Sequence, residues 1–421
     1  MIASPTTFPR ILSMRERCEL HNRILRRRLD ALLPAVMREC GFDMWLVICN
    51  EDNWDPVLPT LLPMDTWTPI LQMFVFYDRG EGGVERISIS RTNTFDYYDK
   101  PYTVHYPWQQ WPWLREVIEA RDPKRIAINQ GETIWAADGL SATHKEKLLA
   151  TLPKKYAQRL SSGEDLCRRW METLIPEEME LYPHVVSVAH ALLREIFSRR
   201  VITPGVTTLA DLRWAYWQMC NDRGLEVSFC PFFYLARRES EKKSHPEGDA
   251  TIRRGDVVYC DVGIKYLGLI TDTKECAYVL REGEHDAPEG LRRLLAETNR
   301  LQDIYCRQFV AGRTGNEMLR SGLEAARAAG VNNPRIYSHS CGHLLHEPGP
   351  LIGHPLNQEN WPGRGDVPLN YDTSFVCEIS ADGVVPEWDG QSLRLPTEEQ
   401  ILFTREGTSF IDGRQTEFYL I

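Results

Sequence analysis

Residues 255–280 read GDVVYCDVGIKYLGLITDTKECAYVL, and they carry two aspartates on what the pattern predicts to be neighbouring strands. Asp261 lies in an apolar strand pattern, where a buried carboxylate is costly unless a positive group compensates its charge. Asp272 follows eleven residues later, after a hairpin-like connection through Gly263 and Gly268. We therefore expect the two carboxylates to face the same point, although Asp272 taken alone also fits an ordinary turn residue.

Three further clusters of reactive side chains follow. His339 and His346 are seven residues apart in YSHSCGHLLHEPGP, Glu378 lies within the apolar pattern SFVCEIS, and Glu398 directly precedes an apolar strand pattern in TEEQILFT. Four carboxylates at one place would raise each other's pKa values unless cations were present. Two divalent ions carry a charge of about +4, which balances four carboxylates. Oxygen ligands with one imidazole suit manganese or a similar ion, with cobalt, iron and zinc as alternatives.

These motifs together resemble the superfamily of methionine aminopeptidases, Xaa-Pro aminopeptidases, prolidases and creatinases, whose catalytic domain has the pita-bread fold. The family pattern has D-x-G, a second aspartate, H-x-x-G-x-x-x-H-E-x-P, a glutamate in a strand and a last glutamate before a threonine. The matching positions are Asp261, Gly263, Asp272, His339, Gly342, His346, Glu347, Pro348, Glu378, Glu398 and Thr404. All five positions that bind metal in the peptidases thus hold a suitable residue. One departure is Pro396, where the family often has an arginine.

The resemblance implies a ligand set for two divalent ions. Asp261 and Glu398 would bridge the ions, Asp272 would hold one of them, and His339 with Glu378 would hold the other. A hydroxide shared by both ions would attack the scissile carbonyl, because metal binding lowers the pKa of water towards neutrality.

The resemblance also implies the catalytic residues. Glu378 would be the general base, and His346, with His245 in the preceding loop, would stabilise the oxyanion or orient the substrate. His343 lies four residues after His339 and could be mistaken for the ligand, but the spacing to His346 favours His339. His354 has no clear family counterpart.

The sequence predicts an α+β protein of two domains. A smaller creatinase-like α/β domain is expected at 1–165, and a pita-bread domain, with helices on a curved and mainly antiparallel sheet, at 166–421. In the first domain, residues 14–40 form a helical stretch that Pro34 interrupts and Gly41 ends. The boundary is expected in RLSSGEDLCRRW, residues 159–170, where the pattern weakens.

Composition limits the partners. The 421 residues carry a formal net charge of −10 without a long basic run, which argues against nucleic acid. No apolar stretch approaches the ~20 residues that cross a bilayer, and the N-terminus has no signal-peptide pattern. Eleven cysteines without a C-x-x-C pair indicate free thiols in a reducing cytoplasm. The partners expected are a small peptide-like substrate and, from the branch resembled, a second copy in a homodimer.

The function expected is therefore dinuclear metal-dependent hydrolysis of peptides or dipeptides, as in Xaa-Pro aminopeptidases and prolidases. A metal-dependent amide hydrolase or lyase that acts on a small zwitterion is the alternative on the same fold. A non-catalytic binding module is less favoured, because such relatives have lost ligands that this chain keeps. The sequence indicates no role for the loop at 352–370 or for the final segment FIDGRQTEFYLI.

Overall fold

The computed structural model describes residues 8–246, 248–346 and 348–421. The chain divides into two compact units, one of residues Leu12–Glu177 and one of Glu178–Ile421 together with the described part of the first eleven residues. The stretch at 159–170 is not an irregular link, since it forms a short strand and most of a helix inside the first unit. The units separate after Glu177 instead. Among the described residues, no helix is both long and apolar enough to span a bilayer.

The first unit is a mixed five-stranded sheet with helices. The strand order is β3-β2-β1-β4-β5. Strands β1, β4 and β5 run parallel to one another, and β2 is antiparallel to both of its neighbours, β1 and β3. The strands are β1 (Met44–Asn50), β2 (Leu71–Asp78), β3 (Val84–Ser88), β4 (Ile126–Ile128) and β5 (Leu160–Ser162). The helices are α1 (Met14–Arg27), α2 (Leu33–Glu39), α3 (Pro107–Arg121), α4 (Ala142–Thr151), α5 (Lys154–Ala157) and α6 (Glu164–Glu172).

The predicted helical stretch at 14–40 is confirmed, with a local irregularity. A π-helical turn at Arg28–Leu32 joins α1 to α2. Pro34 explains it, because proline has no N–H to donate to the preceding turn. Gly41 ends the stretch with a φ of +70°, a conformation that favours glycine. Helix α3 begins at Pro107, and its first turns hold a second proline and several tryptophans instead of a simple amphipathic repeat.

The second unit packs helices on mainly antiparallel sheets, as the predicted α+β class and pita-bread domain require. Its helices are α7 (Pro176–Ile196, which starts at the boundary), α8 (Leu209–Asp222), α9 (Glu239–Lys242), α10 (Glu289–Cys306) and α11 (Gly315–Ala328). Its strands are β6 (Glu226–Val227), β7 (Phe232–Ala236), β8 (Val257–Asp261), β9 (Ile264–Tyr266), β10 (Leu269–Ile270), β11 (Cys276–Tyr278), β12 (Arg335–Ser340), β13 (Leu351–Gly353), β14 (Thr373–Val385), β15 (Gln391–Thr404), β16 (Gly407–Phe410) and β17 (Tyr419–Leu420).

Three sheets make up this unit, in the orders β10-β9-β6, β17-β11-β8-β7 and β13-β12-β14-β15-β16. A backbone bridge between Lys274 and Glu398 connects the second sheet's segment to the third. Helices α10 and α11 cover one face of β12, β14 and β15, with Leu301, Leu323 and Phe375 in that core. One face of these strands is therefore apolar, which leaves the opposite face for polar side chains.

Candidate metal centre

The two aspartates are brought together by a hairpin. Asp261 ends β8, β9 and β10 form the hairpin with Leu267 and Gly268 at its tip, and Asp272 follows β10. Both tip residues have positive φ, at 56° and 82°, as a tight hairpin turn requires. The predicted connection is thus present, and Asp272 is more than a turn residue because it lies buried beside the sheet.

Strand register aligns the remaining three predicted ligands. Glu378 on β14 lies directly opposite Glu398 on β15, and His339 on β12 lies opposite Val376. Side chains of directly opposite residues share a face, so both glutamates and His339 point to the same side of the sheet. Glu398 lies inside β15 and not before a strand as the sequence suggested, because the polar stretch at 391–397 pairs with β14 along its whole length.

Asp272, His339 and Glu398 form a group that fits one divalent ion. All three are buried, and one ligand atom from each lies within 4.8 Å of the others. His339 Nδ1 is 3.1 Å from the carbonyl oxygen of Ser340 and can donate a hydrogen bond to it. Nε2 then carries the lone pair of the neutral ring and lies 3.6 Å from Asp272 Oδ2. Among the described residues, neither His339 Nε2 nor Asp272 Oδ1 has a hydrogen-bond partner, although both atoms are buried. A cation would satisfy both atoms.

Lys274 enters the same cage and was missed in the sequence. Its Nζ lies 2.7 Å from Glu378 Oε1, 2.9 Å from Glu398 Oε2 and 3.2 Å from Asp261 Oδ2. Alternation was the available signal, because Lys274 follows Asp272 by two residues and so shares its side of an extended chain. An ammonium group therefore lies among oxygens of Asp261 and Glu398 that the motif-based scheme assigns to a shared ion. Asp272, His339 and Glu398 fit one ion.

The electrostatics of the cage follow from burial and mutual repulsion. Burial, and then the nearby charge of Asp261, raise the pKa of Asp272 to about 7. Burial, and then Asp272, raise the pKa of Glu398 well above its ordinary range. Burial alone would lower the pKa of Lys274, but Glu398, Glu378 and Asp261 outweigh it and raise that pKa well above the ordinary value. Burial lowers the pKa of His339 to about 4, so its ring is neutral and available as a ligand.

The other predicted histidines differ in their surroundings. His346 is open to solvent, and its ring contacts that of His339 edge to face at 4.6 Å between centroids, so it borders the cage. His343 faces away from the candidate ligands towards Glu178, with Nε2 2.7 Å from the carboxylate. His245 lies in the loop after α9, and within the described ranges no hydrogen bond of its ring to the cage is present.

The loop at 352–370 is anchored beside the site. His354 stacks on Trp361 with 5.3 Å between ring centroids. Asn316 on α11 donates to the Trp361 carbonyl at 3.0 Å and accepts from its amide at 2.7 Å. Arg364 in the same loop is buried and donates to the Gly349 carbonyl at 3.1 Å. The loop thus has a structural role beside the candidate metal centre, because its His354 ring contacts that of Tyr337, which in turn contacts that of His339.

A second buried histidine–carboxylate cluster explains the C-terminal segment. Its members are His190, Glu275 and Glu399. His190 also lies 2.9 Å from Asp412, and Tyr419 donates to Glu275 at 2.7 Å. Burial would lower the pKa of His190, but Asp412 and Glu399 raise it well above the ordinary value. The final segment therefore supplies partners for a buried ion-pair network on the other side of the strand that carries Glu398.

Comparisons with known proteins agree with this architecture. The model of metallopeptidase family M24 matches residues 180–401, and no curated protein matches the sequence. An X-Pro aminopeptidase from Thermotoga maritima MSB8 has 15% identity and a TM-score of 0.65, over 92% of this chain and 100% of that one. A Xaa-Pro dipeptidase from Bacillus anthracis has 16% identity and a TM-score of 0.60, over 97% and 100%. The prolidase from Pyrococcus furiosus has 14% identity and a TM-score of 0.54, over 91% and 98%.

Proposed function

Because the chain belongs to metallopeptidase family M24, we propose that it is a metal-dependent hydrolase of short peptides that cleaves next to proline. The proposed metal dependence rests on two buried atoms, Asp272 Oδ1 and His339 Nε2, which have no hydrogen-bond partner among the described residues. Both residues belong to one group with Glu398. The titles of the similar structures support the substrate class, since they name an X-Pro aminopeptidase, a Xaa-Pro dipeptidase and a prolidase.

Asp272, His339 and Glu398 would hold the metal ion. When bound there, a divalent ion supplies Lewis-acid polarisation of a carbonyl and lowers the pKa of water. Manganese is our proposal for the ion, because the group offers carboxylate oxygens and one imidazole and no thiolate. The His339 ring is kept in one tautomer by the Ser340 carbonyl, which orients Nε2 towards the ion.

The remaining residues would manage protons and substrate. Glu378 would receive the proton as general base, since its carboxylate lies in the cage and its Oε1 accepts from the Lys274 ammonium at 2.7 Å. His346 is open to solvent next to His339, which suits a group that donates to the developing oxyanion. His245 remains a proposal for substrate orientation, supported by its position in a loop before β8.

We also propose a cellular location and an oligomeric state. All eleven cysteines are free thiols, which suits a reducing compartment such as the cytoplasm. A homodimer follows from the branch resembled.

The test is turnover of a panel of Xaa-Pro dipeptides and longer Xaa-Pro peptides by manganese-loaded protein. We expect hydrolysis that a chelator abolishes and added manganese restores. Asp272→Ala should lose it, while Asp222→Ala, at the exposed end of α8, should retain it. Absence of turnover on all peptides by metal-loaded protein would contradict the peptidase proposal. Small amides and zwitterions belong in the same panel, because turnover of these alone would favour the other hydrolase or lyase function.

A further inference from the structure

We propose that the Lys274 ammonium takes the place of one of the two expected metal ions, so that the centre of this chain holds a single divalent ion beside a fixed positive charge. The inference rests on the metal site of the proposed function and concerns how that site is completed. It departs from the two-ion scheme that the motifs imply.

The distances from Lys274 Nζ to the surrounding carboxylate oxygens leave room for only one cation among these oxygens. Lys274 Nζ lies between 2.7 and 3.2 Å from oxygens of Asp261, Glu378 and Glu398. It donates hydrogen bonds to Glu378 and Glu398 and forms an ion pair with Asp261. A divalent ion bound by the same oxygens would sit about 2.0–2.6 Å from each of them. Such an ion and the ammonium would occupy nearly the same place. The oxygens around Lys274 therefore serve one cation at a time.

The charges of the cage permit this arrangement. The four carboxylates carry up to four negative charges, against three positive charges for one divalent ion with the ammonium and five for two divalent ions with it. Both sums differ from four by one, so the distances around Lys274 decide between them and the charge does not. The group of Asp272, His339 and Glu398 supplies three ligand atoms for the remaining ion, and Lys274 contacts only one member of it, Glu398, through Oε2.

Backbone pairing fixes the point at which the Lys274 side chain enters the carboxylate cage. Lys274 and Glu398 exchange two backbone hydrogen bonds, each 3.0 Å long, and so lie directly opposite one another. The side chain of Lys274 is buried. The ammonium is thus built into the cage by the register of the chain and not by a mobile surface side chain.

The test is the metal stoichiometry of the full-length protein. Purified protein is stripped with a chelator, dialysed against excess Mn²⁺ and measured by elemental analysis and native mass spectrometry. We expect about one ion per chain for the wild type and close to two for Lys274→Met, in which the place of the ammonium becomes available. Lys265→Met is the matched control, since Lys265 is a half-exposed lysine on the neighbouring hairpin, and it should bind about one ion.

The wild-type result stands even if Lys274→Met fails to fold. Electron paramagnetic resonance of the manganese-loaded wild type distinguishes an isolated ion from a coupled pair, and we expect the isolated form. About two ions per wild-type chain, or a coupled signal, would overturn the inference and leave the peptidase proposal standing. One ion without peptide turnover would support the inference and contradict the proposed function. Wild-type protein that binds no ion at all would overturn both.

Discussion

At the scale of single residues, the choice of histidine decides the metal site. His339 points Nε2 at Asp272, whereas His343 points at Glu178. We expect His339→Ala to weaken Mn²⁺ binding by about 100-fold or more, because it removes a direct ligand. His343→Ala should keep the metal affinity and lose about 1–3 kcal/mol of stability with its hydrogen bond to a buried carboxylate. Isothermal titration with Mn²⁺ and denaturant unfolding separate the two effects. Equal losses of affinity in both variants would contradict this assignment.

Two candidate ligands, Asp261 and Glu378, were predictable because each interrupts an apolar strand pattern. Asp272, His339 and Glu398 were predictable from their spacing within a known set of motifs. Lys274 was not predictable by the same argument, because it lies in TDTKE, a polar stretch that reads as an exposed connection. In the folded chain that stretch pairs with β15 through Lys274 and Glu398, and Lys274 is buried.

At the scale of elements, the hairpin between the two aspartates depends on close packing at Gly263. A Cβ atom there would lie 1.9 Å from the Thr271 carbonyl oxygen and 2.2 Å from Ser228 Oγ. Gly263→Ala must therefore shift the backbone on one side of the site. We expect it to cost roughly 1–3 kcal/mol of stability as overpacking does, and to lower metal affinity because Asp261 and Asp272 move apart.

The matched control for this variant lies in the same hairpin. Gly268 is at the tip with a φ of +82°, where asparagine is tolerated better than other side chains. Gly268→Asn should keep both stability and metal affinity close to the wild type. Thermal unfolding with and without Mn²⁺ measures both quantities. If Gly263→Ala bound Mn²⁺ as tightly as Gly268→Asn does, the hairpin would not position the ligands.

Element boundaries show where sequence patterns stop being informative. The strand β1 and the capping boxes at Thr208 and Thr314 have local signals in the sequence, an apolar run and a threonine followed three residues later by an acidic residue. The segment at 159–170 was read as a link because Ser-Ser-Gly is typical of turns, yet β5 pairs with β4 and α6 follows at once. That pairing is a tertiary contact, which composition alone does not encode.

At the scale of the whole molecule, both units contain buried ionisable groups, and Asp55 is one of those in the first unit. It is fully buried and accepts hydrogen bonds from the Val57 amide and from Asn129, whose own oxygen accepts from Trp45. Burial raises the pKa of Asp55 to about 6 in the folded state. The folded unit therefore binds more protons than the unfolded chain between about pH 4 and 6, and its stability falls as the pH rises through that range, by ~3 kcal/mol in total.

This pH dependence is measurable by comparing Asp55→Asn with the wild type. The asparagine cannot ionise, so its disadvantage in stability should shrink by ~3 kcal/mol between pH 4 and 6. Asp52→Asn is the control, because Asp52 is exposed with a φ of 61° that asparagine also adopts, and its curve should stay parallel to the wild type. Hydrogen exchange of β1 amides reports on this unit alone. Parallel curves for Asp55→Asn and the wild type would show that Asp55 does not carry the effect.

Metal binding should act on the other unit. Asp272, His339 and Glu398 all belong to the unit of Glu178–Ile421, so an ion held there stabilises the folded form of that unit by mass action. At Mn²⁺ 100-fold above its dissociation constant, we expect about 2.7 kcal/mol of added protection for amides of β14 and β15, and little change for β1. Hydrogen exchange with and without Mn²⁺ measures both in one sample, and Asp272→Ala should abolish the difference. Equal protection of β1 in the wild type would contradict a metal site confined to the second unit.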